Sequence, residues 1–142
     1  MRVLIEQILR RHDHAVDAIA TLCGLQVNEG LLQRMRLVDG RAVRSCVIEI
    51  GAIGDAEITT IEGLGTVGKP HPLQQAFINL QAAQCGYCIN GMIMTAKDLL
   101  DQNPHPNTAQ VREGLAQNLC RCGTHGRIIR AVLRAGQDMR KS

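Results

Sequence analysis

The sequence contains no tryptophan, one phenylalanine (Phe77) and one tyrosine (Tyr87) in 142 residues. Any core must therefore be built from Leu, Ile, Val, Ala and Met. The same scarcity removes the aromatic platforms on which nucleic-acid bases stack. Charge does not make up for it. The net charge is +3, and Lys and Arg are scattered, apart from a small excess at Arg130, Arg134, Arg140 and Lys141. Nucleic-acid binding is thus disfavoured. No apolar run reaches the length of a membrane-crossing helix. A secretory leader is disfavoured too, because Glu6, Arg10, Arg11 and Asp13 interrupt the apolar start. A chain of this length holds one ordinary domain or two small ones. Small halves poor in aromatics need support from a bound metal centre or a partner.

What the chain does have is cysteine, six in all. Four fall in two words, Cys85-Gly86-Tyr87-Cys88 and Cys120-Arg121-Cys122. The spacing is C-x2-C, then 31 residues, then C-x-C. Three disulfides are the weaker reading without a leader. Metal-bound thiolates in a reducing cytoplasm are the simpler one. Two close pairs joined by a helical excursion can bring four sulfurs to one point, for zinc or for an iron–sulfur centre. A C-x-C half strains a single tetrahedral ion. It can, however, hand both sulfurs to one iron of a two-iron cluster. Spacing alone leaves both metals open.

The words around the cysteines go further. The run Gln84-Cys85-Gly86-Tyr87-Cys88-Ile89-Asn90-Gly91-Met92-Ile93-Met94 resembles the small iron–sulfur subunits of the molybdenum hydroxylases, the xanthine oxidase family. So do Asn118-Leu119-Cys120-Arg121-Cys122-Gly123-Thr124-His125, Arg127-Ile128, and the intervening Leu99-Leu100-Asp101-Gln102-Asn103-Pro104. Thr60-Ile61-Glu62-Gly63-Leu64 is similar to the link between the two domains of these subunits. The Cys-Gly-Thr form resembles the nicotinate dehydrogenase and isoquinoline oxidoreductase type most. The likeness covers about residues 37 to 136.

This resemblance implies an α+β protein. A truncated or degenerate β-grasp, ferredoxin-like part would precede a four-helix-bundle [2Fe-2S] domain. It divides the chain into an unmatched helical segment (1–36), a β-grasp remnant (37–64), a linker (65–71), the helical domain (72–136) and a tail (137–142). It implies Cys85, Cys88, Cys120 and Cys122 as ligands of one cluster, with Gln84 contacting the pterin of a partner. That partner would be a large molybdopterin-binding subunit that hydroxylates a heteroaromatic ring or oxidises an aldehyde. Electrons would leave to a flavin subunit or a cytochrome c.

The likeness breaks at residues 26 to 36. The family's first cluster loop places three ligands where this chain has Gln26, Leu31 and Arg34, none of which binds iron. Cys46 matches the fourth ligand and Cys23 matches none. One cluster per chain is therefore expected. Divergence, truncation and a frame shift before residue 37 all account for the break, and Leu-Leu, Leu-Gln and Met-Arg can conceal a Cys codon one base out of frame. Two other readings stand beside the electron carrier: a zinc-stabilised helical interaction module, and a non-functional product of a frame-shifted gene.

Periodicity supplies the coarse structure. Residues 1 to about 25 read as helix, where His12 and His14, two apart, do not share a face. Asp39-Gly40 predicts a type I′ hairpin. Val47–Ile50 and Glu57–Thr60 read as short strands. Helices are expected over about 72–83, 89–102, 107–117 and from Gly126, fraying after 136. Leu73, Ala76, Phe77, Leu80 and Ala83 form one apolar stripe. Met92 and Met94 read as core filling. Asn107 or Thr108 should cap the third helix, with Gln110 completing a capping box. Arg121 places a cation beside an anionic centre or makes a surface ion pair. His125 could replace a ligand as in Rieske centres, but the four-Cys set is already complete. Tyr87 packs in the core, on the centre or on a partner. No acid–base or nucleophilic constellation is legible.

Overall fold

The computed structural model describes residues 35–140. The expectations for residues 1–34 lie outside the described residues: the N-terminal helix, His12, His14, Cys23, and Gln26, Leu31 and Arg34.

Strands β1 (Met35–Val38) and β2 (Arg41–Arg44) form an antiparallel hairpin, with Met35 opposite Arg44 and Val38 opposite Arg41. Met35 and Arg36 thus belong to the sheet rather than to the unmatched segment. Asp39 and Gly40 take φ of 48° and 76°, as a type I′ turn demands. Asp39 and Glu57 exchange hydrogen bonds. The Glu57 amide donates to the Asp39 carboxylate at 2.9 Å, and the Asp39 amide donates to the Glu57 carbonyl at 2.9 Å. This clasp brings in β3 (Ile58–Thr59), giving the order β2-β1-β3.

The strand expected at Val47–Ile50 is absent. The Val47 amide is used by a turn bond to the Arg44 carbonyl at 3.1 Å. The chain leaves the ladder there, Val47 stands 76% exposed, and a 3-10 turn follows at Ile50–Ala52.

The helices are α1 (Ile61–Leu64), α2 (Pro72–Asn79), α3 (Ile89–Gln102), α4 (Thr108–Gly114) and α5 (His125–Met139). Two of them begin at a capping box. At α2, Pro72 opens the helix and His71 caps it: His71 Nδ1 accepts from the Leu73 amide at 3.2 Å, and Gln74 Oε1 accepts from the His71 amide at 2.8 Å. At α4, Asn107 and Gln110 form the expected reciprocal box, at 2.9 and 2.8 Å. The bounds of α3 are those read from the apolar spacing.

Three helix ends differ from expectation, the simplest being α4, which stops at Gly114 rather than near 117. Helix α2 stops at Asn79, not near 83, because Gln81 adopts a left-handed φ of 50°. The Ala82 amide then donates to the Phe77 carbonyl at 3.0 Å and the Gln81 amide to the Ile78 carbonyl at 3.2 Å, a Schellman ending. Leu80 consequently turns outward and is exposed, so it leaves the expected stripe. Helix α5, in contrast, continues through Met139 instead of fraying after 136.

The core is aliphatic around one ring. Phe77, Leu73, Met92, Met94, Val111, Ile128 and Val132 are fully buried. Both methionines are thus core residues. Helix α2 packs chiefly on α5, and α4 fills the gap against α3 and α5. Met35 and Leu37, alternate residues of β1, bury their side chains as the sheet packs on α3. The sheet is clasped there by polar contacts. Asp98 of α3 accepts from the Ala42 amide at 3.0 Å and pairs with Arg41 at 3.2 Å. No helix among the described residues is long and apolar enough to cross a membrane.

Candidate metal centre

Two loops carry the four cysteines, and each ends in a helix. Cys88 is the N-cap residue of α3, and Cys122 lies two residues before Thr124, the N-cap residue of α5. Both turns need a left-handed residue beside a cysteine. Gly86 has φ of 85° and Gly123 has φ of 73°, conformations that L side chains adopt at a cost. Both helices therefore present their N-terminal, partially positive ends to the cysteines, which favours negative charge there.

Four hydrogen bonds fix the loops relative to one another and to the sheet. Arg127, in the first turn of α5, donates to the Gln81 carbonyl at 3.3 Å, next to the Cys85 loop. Buried Asn118 donates to Thr95 Oγ1 of α3 at 2.9 Å. The Arg44 guanidinium donates to the Gln117 carbonyl at 3.1 Å and to its side-chain oxygen at 3.0 Å. The segment leading into Cys120 is thus tied to α3 and to β2.

The sulfurs meet as two pairs, and the pairing runs across the two words. Cys122 Sγ lies 3.4 Å from Cys85 Sγ. Cys88 and Cys120 are likewise close enough for each to perturb the other's protonation. Cys122 of the second word thus faces Cys85 of the first. Cys88 and Cys120 are buried, whereas Cys85 is exposed and Cys122 partly so. Among the described residues, no three Cys, His, Asp or Glu side chains close around one point for a single metal ion.

The protonation tendencies differ sharply within the inner pair. Burial, then the hydrogen bond with Cys120, pushes the Cys88 thiol up to about 12. Burial also pushes Cys120 upward. There, however, hydrogen bonds from the Thr124 hydroxyl and amide, from Cys88 and from the Cys122 amide outweigh it and hold Cys120 below its usual value. In the outer pair the Cys85 amide lowers Cys122, but the Cys85 thiol, burial and the neighbouring sulfur charges raise it overall. Cys120 is thus better prepared than Cys88 or Cys122 to be a thiolate, and the thiolate is the form that binds metal. Four thiol donors without a carboxylate or imidazole among them suit a thiophilic centre.

Residues 60–133 match the family described as the [2Fe-2S] binding domain. That span is more than half of the chain. The chain belongs to this family.

Membership of the [2Fe-2S] binding domain family agrees with individual relatives. The chain is 60% identical over 105 residues to a nicotinate dehydrogenase subunit of Pseudomonas putida, covering 74% of this chain and 67% of that protein. It is 46% identical over 101 residues to the alpha subunit of isoquinoline 1-oxidoreductase from Brevundimonas diminuta, covering 71% and 66% respectively. The matched stretch spans about two thirds of the length of each of these two relatives. The fold is similar to quinoline 2-oxidoreductase from Pseudomonas putida 86, with a TM-score of 0.74 and 33% identity over 92% of this chain and 86% of that one. The resemblance read from the cysteine words thus holds.

Other residues singled out in the sequence take plain positions. Tyr87 is 57% exposed, so the core is not its place. Gln84, Arg121 and His125 are exposed around the same loops. Cys46 sits partly buried in the turn after β2, two residues beyond the Arg44 that grips Gln117. Sequence reasoning missed Thr124. A Thr just before a helix reads as an ordinary cap, yet its side chain makes no cap bond and its Oγ1 lies 3.1 Å from Cys120 Sγ.

Proposed function

We propose that this chain is the electron-transfer iron–sulfur subunit of a molybdenum-dependent hydroxylase or dehydrogenase acting on a heteroaromatic or aldehyde substrate. The observation that carries the reading is the meeting of Cys85, Cys88, Cys120 and Cys122 as two sulfur pairs at the N-terminal ends of α3 and α5. Two pairs suit two irons, one to each pair, better than one zinc. A bound [2Fe-2S] cluster supplies one-electron storage. Cys85, Cys88, Cys120 and Cys122 would hold it, with the Thr124 hydroxyl 3.1 Å from Cys120 Sγ.

The names of the relatives point the same way: one belongs to a nicotinate dehydrogenase and another to an isoquinoline oxidoreductase. On this reading residues 72–139 form the four-helix cluster unit and residues 35–64 the remnant of the ferredoxin-like part. The substrate chemistry belongs to a large molybdopterin-containing partner, and this chain has no acid, base or nucleophile of its own. Exposed Gln84, directly before exposed Cys85, is the proposed contact to the partner's pterin. A flavin subunit or a cytochrome c receives the electrons. Thiolates that hold a metal centre suit a reducing, cytoplasmic setting.

Purification of the full chain under nitrogen tests this. About two irons and two sulfides per chain, with broad visible absorption, are expected for one cluster. Cys88→Ser should abolish the absorption and Cys46→Ser should leave it. One zinc and no sulfide per chain would establish the zinc-stabilised module instead. About four irons would mean that a second cluster forms despite Gln26, Leu31 and Arg34.

A further inference from the structure

Thr124 occupies the N-cap position of α5, where a threonine hydroxyl ordinarily accepts a hydrogen bond from the first turn. Here the backbone alone begins the helix. The Thr124 carbonyl accepts from the Arg127 amide at 2.9 Å and from the Ile128 amide at 3.1 Å, while the side chain makes no cap bond. The hydroxyl instead lies 3.1 Å from Cys120 Sγ. In the free thiol either atom can donate. A metal-bound thiolate carries no proton, so the hydroxyl must then be the donor. Cys120 is buried, and this is a side-chain O–H aimed at a sulfur inside the protein rather than in water.

We infer that the Thr124 hydroxyl, by donating to Cys120 Sγ, raises the reduction potential of the iron–sulfur centre. The inference rests on the reading of the four cysteines as cluster ligands. A bound centre reduced by one electron from an external reductant would carry one more negative charge, shared with the sulfurs of its cysteines, and the Thr124 hydroxyl would face part of it at Cys120. A donor fixed on one sulfur stabilises the reduced form more than the oxidised form. Partial burial of the contact enlarges the difference, because water replaces a lost donor less fully there. Thr124 thus acts as a positioning residue that has given up capping to serve the thiolate. Its β-branched shape helps, since the restricted χ1 leaves the hydroxyl few alternatives.

The test compares Thr124→Val, which keeps the shape, and Thr124→Ser, which keeps the hydroxyl, in the full chain. Iron and sulfide content, the midpoint in an anaerobic redox titration and the coupling of an exchangeable deuteron to the reduced centre are measured. Thr124→Val should retain full iron. At the midpoint of the unmodified chain its reduced-to-oxidised ratio should fall about tenfold, which is ~59 mV for one electron. It should also lose one deuteron coupling, and Thr124→Ser should restore both. An unchanged midpoint and deuteron coupling in the iron-loaded Val variant would overturn the inference. So would a Val variant that takes up no iron while the Ser variant does, since the hydroxyl would then serve assembly. An unmodified chain without iron would instead overturn the reading of the centre itself.

Discussion

The sheet and the helices are held together in different ways. Helices α2, α3 and α5 meet through side chains with no exposed surface, Phe77, Leu73, Met92 and Ile128 among them. The three-stranded sheet buries only Met35 and Leu37 of β1 and leans on α3. Its fixings are polar and few: Asp98 to the Ala42 amide and Arg41, and Arg44 to Gln117. A sheet of two- and four-residue strands cannot make a core of its own. The contrast teaches that residues 35–64 share the core of the helical part and should unfold with it.

The largest effect tests the helical side. Phe77→Ala removes the one aromatic ring of the core and should cost about 3–5 kcal/mol, read from urea unfolding followed by circular dichroism. Leu37→Ala should cost about 2–4 kcal/mol in the same measurement. It should shift one common transition. A sheet that melts separately, with the helices untouched, would break the comparison and make the sheet an independent unit.

A smaller loss is expected at the polar clasp. Asp98→Ala leaves the Ala42 amide without its acceptor and Arg41 without its partner. The cost should be about 1–2 kcal/mol. Hydrogen exchange at Ala42 should accelerate far more than exchange within α3. Equal acceleration in both would show that Asp98 supports its own helix instead.

Acid should loosen the start of α2. Burial, then the charge of Lys97, holds His71 below its usual 6.5, although Asp101 pulls the other way. The unfolded chain therefore takes up the proton more readily than the folded one. The contribution of His71 is present above pH 6.5 and is lost as pH falls below it through the folded value. Protonation also ends the acceptance of the Leu73 amide by Nδ1. His71→Asn, which can cap at any pH, should flatten this part of the stability–pH curve. The smallest effect belongs to the surface pair Lys97–Asp101 on α3, whose loss in Lys97→Ala should cost under about 0.5 kcal/mol.

What was legible follows the range of each signal. The Asp39-Gly40 turn, the Asn107–Gln110 box and the bounds of α3 depend on residues within one turn of each other. All were readable. The end of α2 is equally local, yet it is formed by Gln81 where a glycine would have announced it. Val47–Ile50 has the composition of a strand, and only the turn bond from Val47 to Arg44 decides otherwise. At the site, the four cysteines were legible as words. Their cross-pairing was not, because Cys85 and Cys122 are 37 residues apart and meet only through the packing of α2 on α5. Thr124 was hidden for a different reason: its usual task at a helix start masked the one it performs.

The partnership of α2 with α5 has a consequence in time. The ribosome makes α2 first, and Leu73 and Phe77 must then wait while two further helices are synthesised before α5 arrives to cover them. Contacts so distant along the chain slow the search for the native state and leave apolar surface open to other molecules meanwhile. Cys120 and Cys122 emerge immediately ahead of α5. The sulfur set is therefore completed at the same moment as the core, and loading of the centre is a late step of biogenesis that can lock the newly closed helices in place.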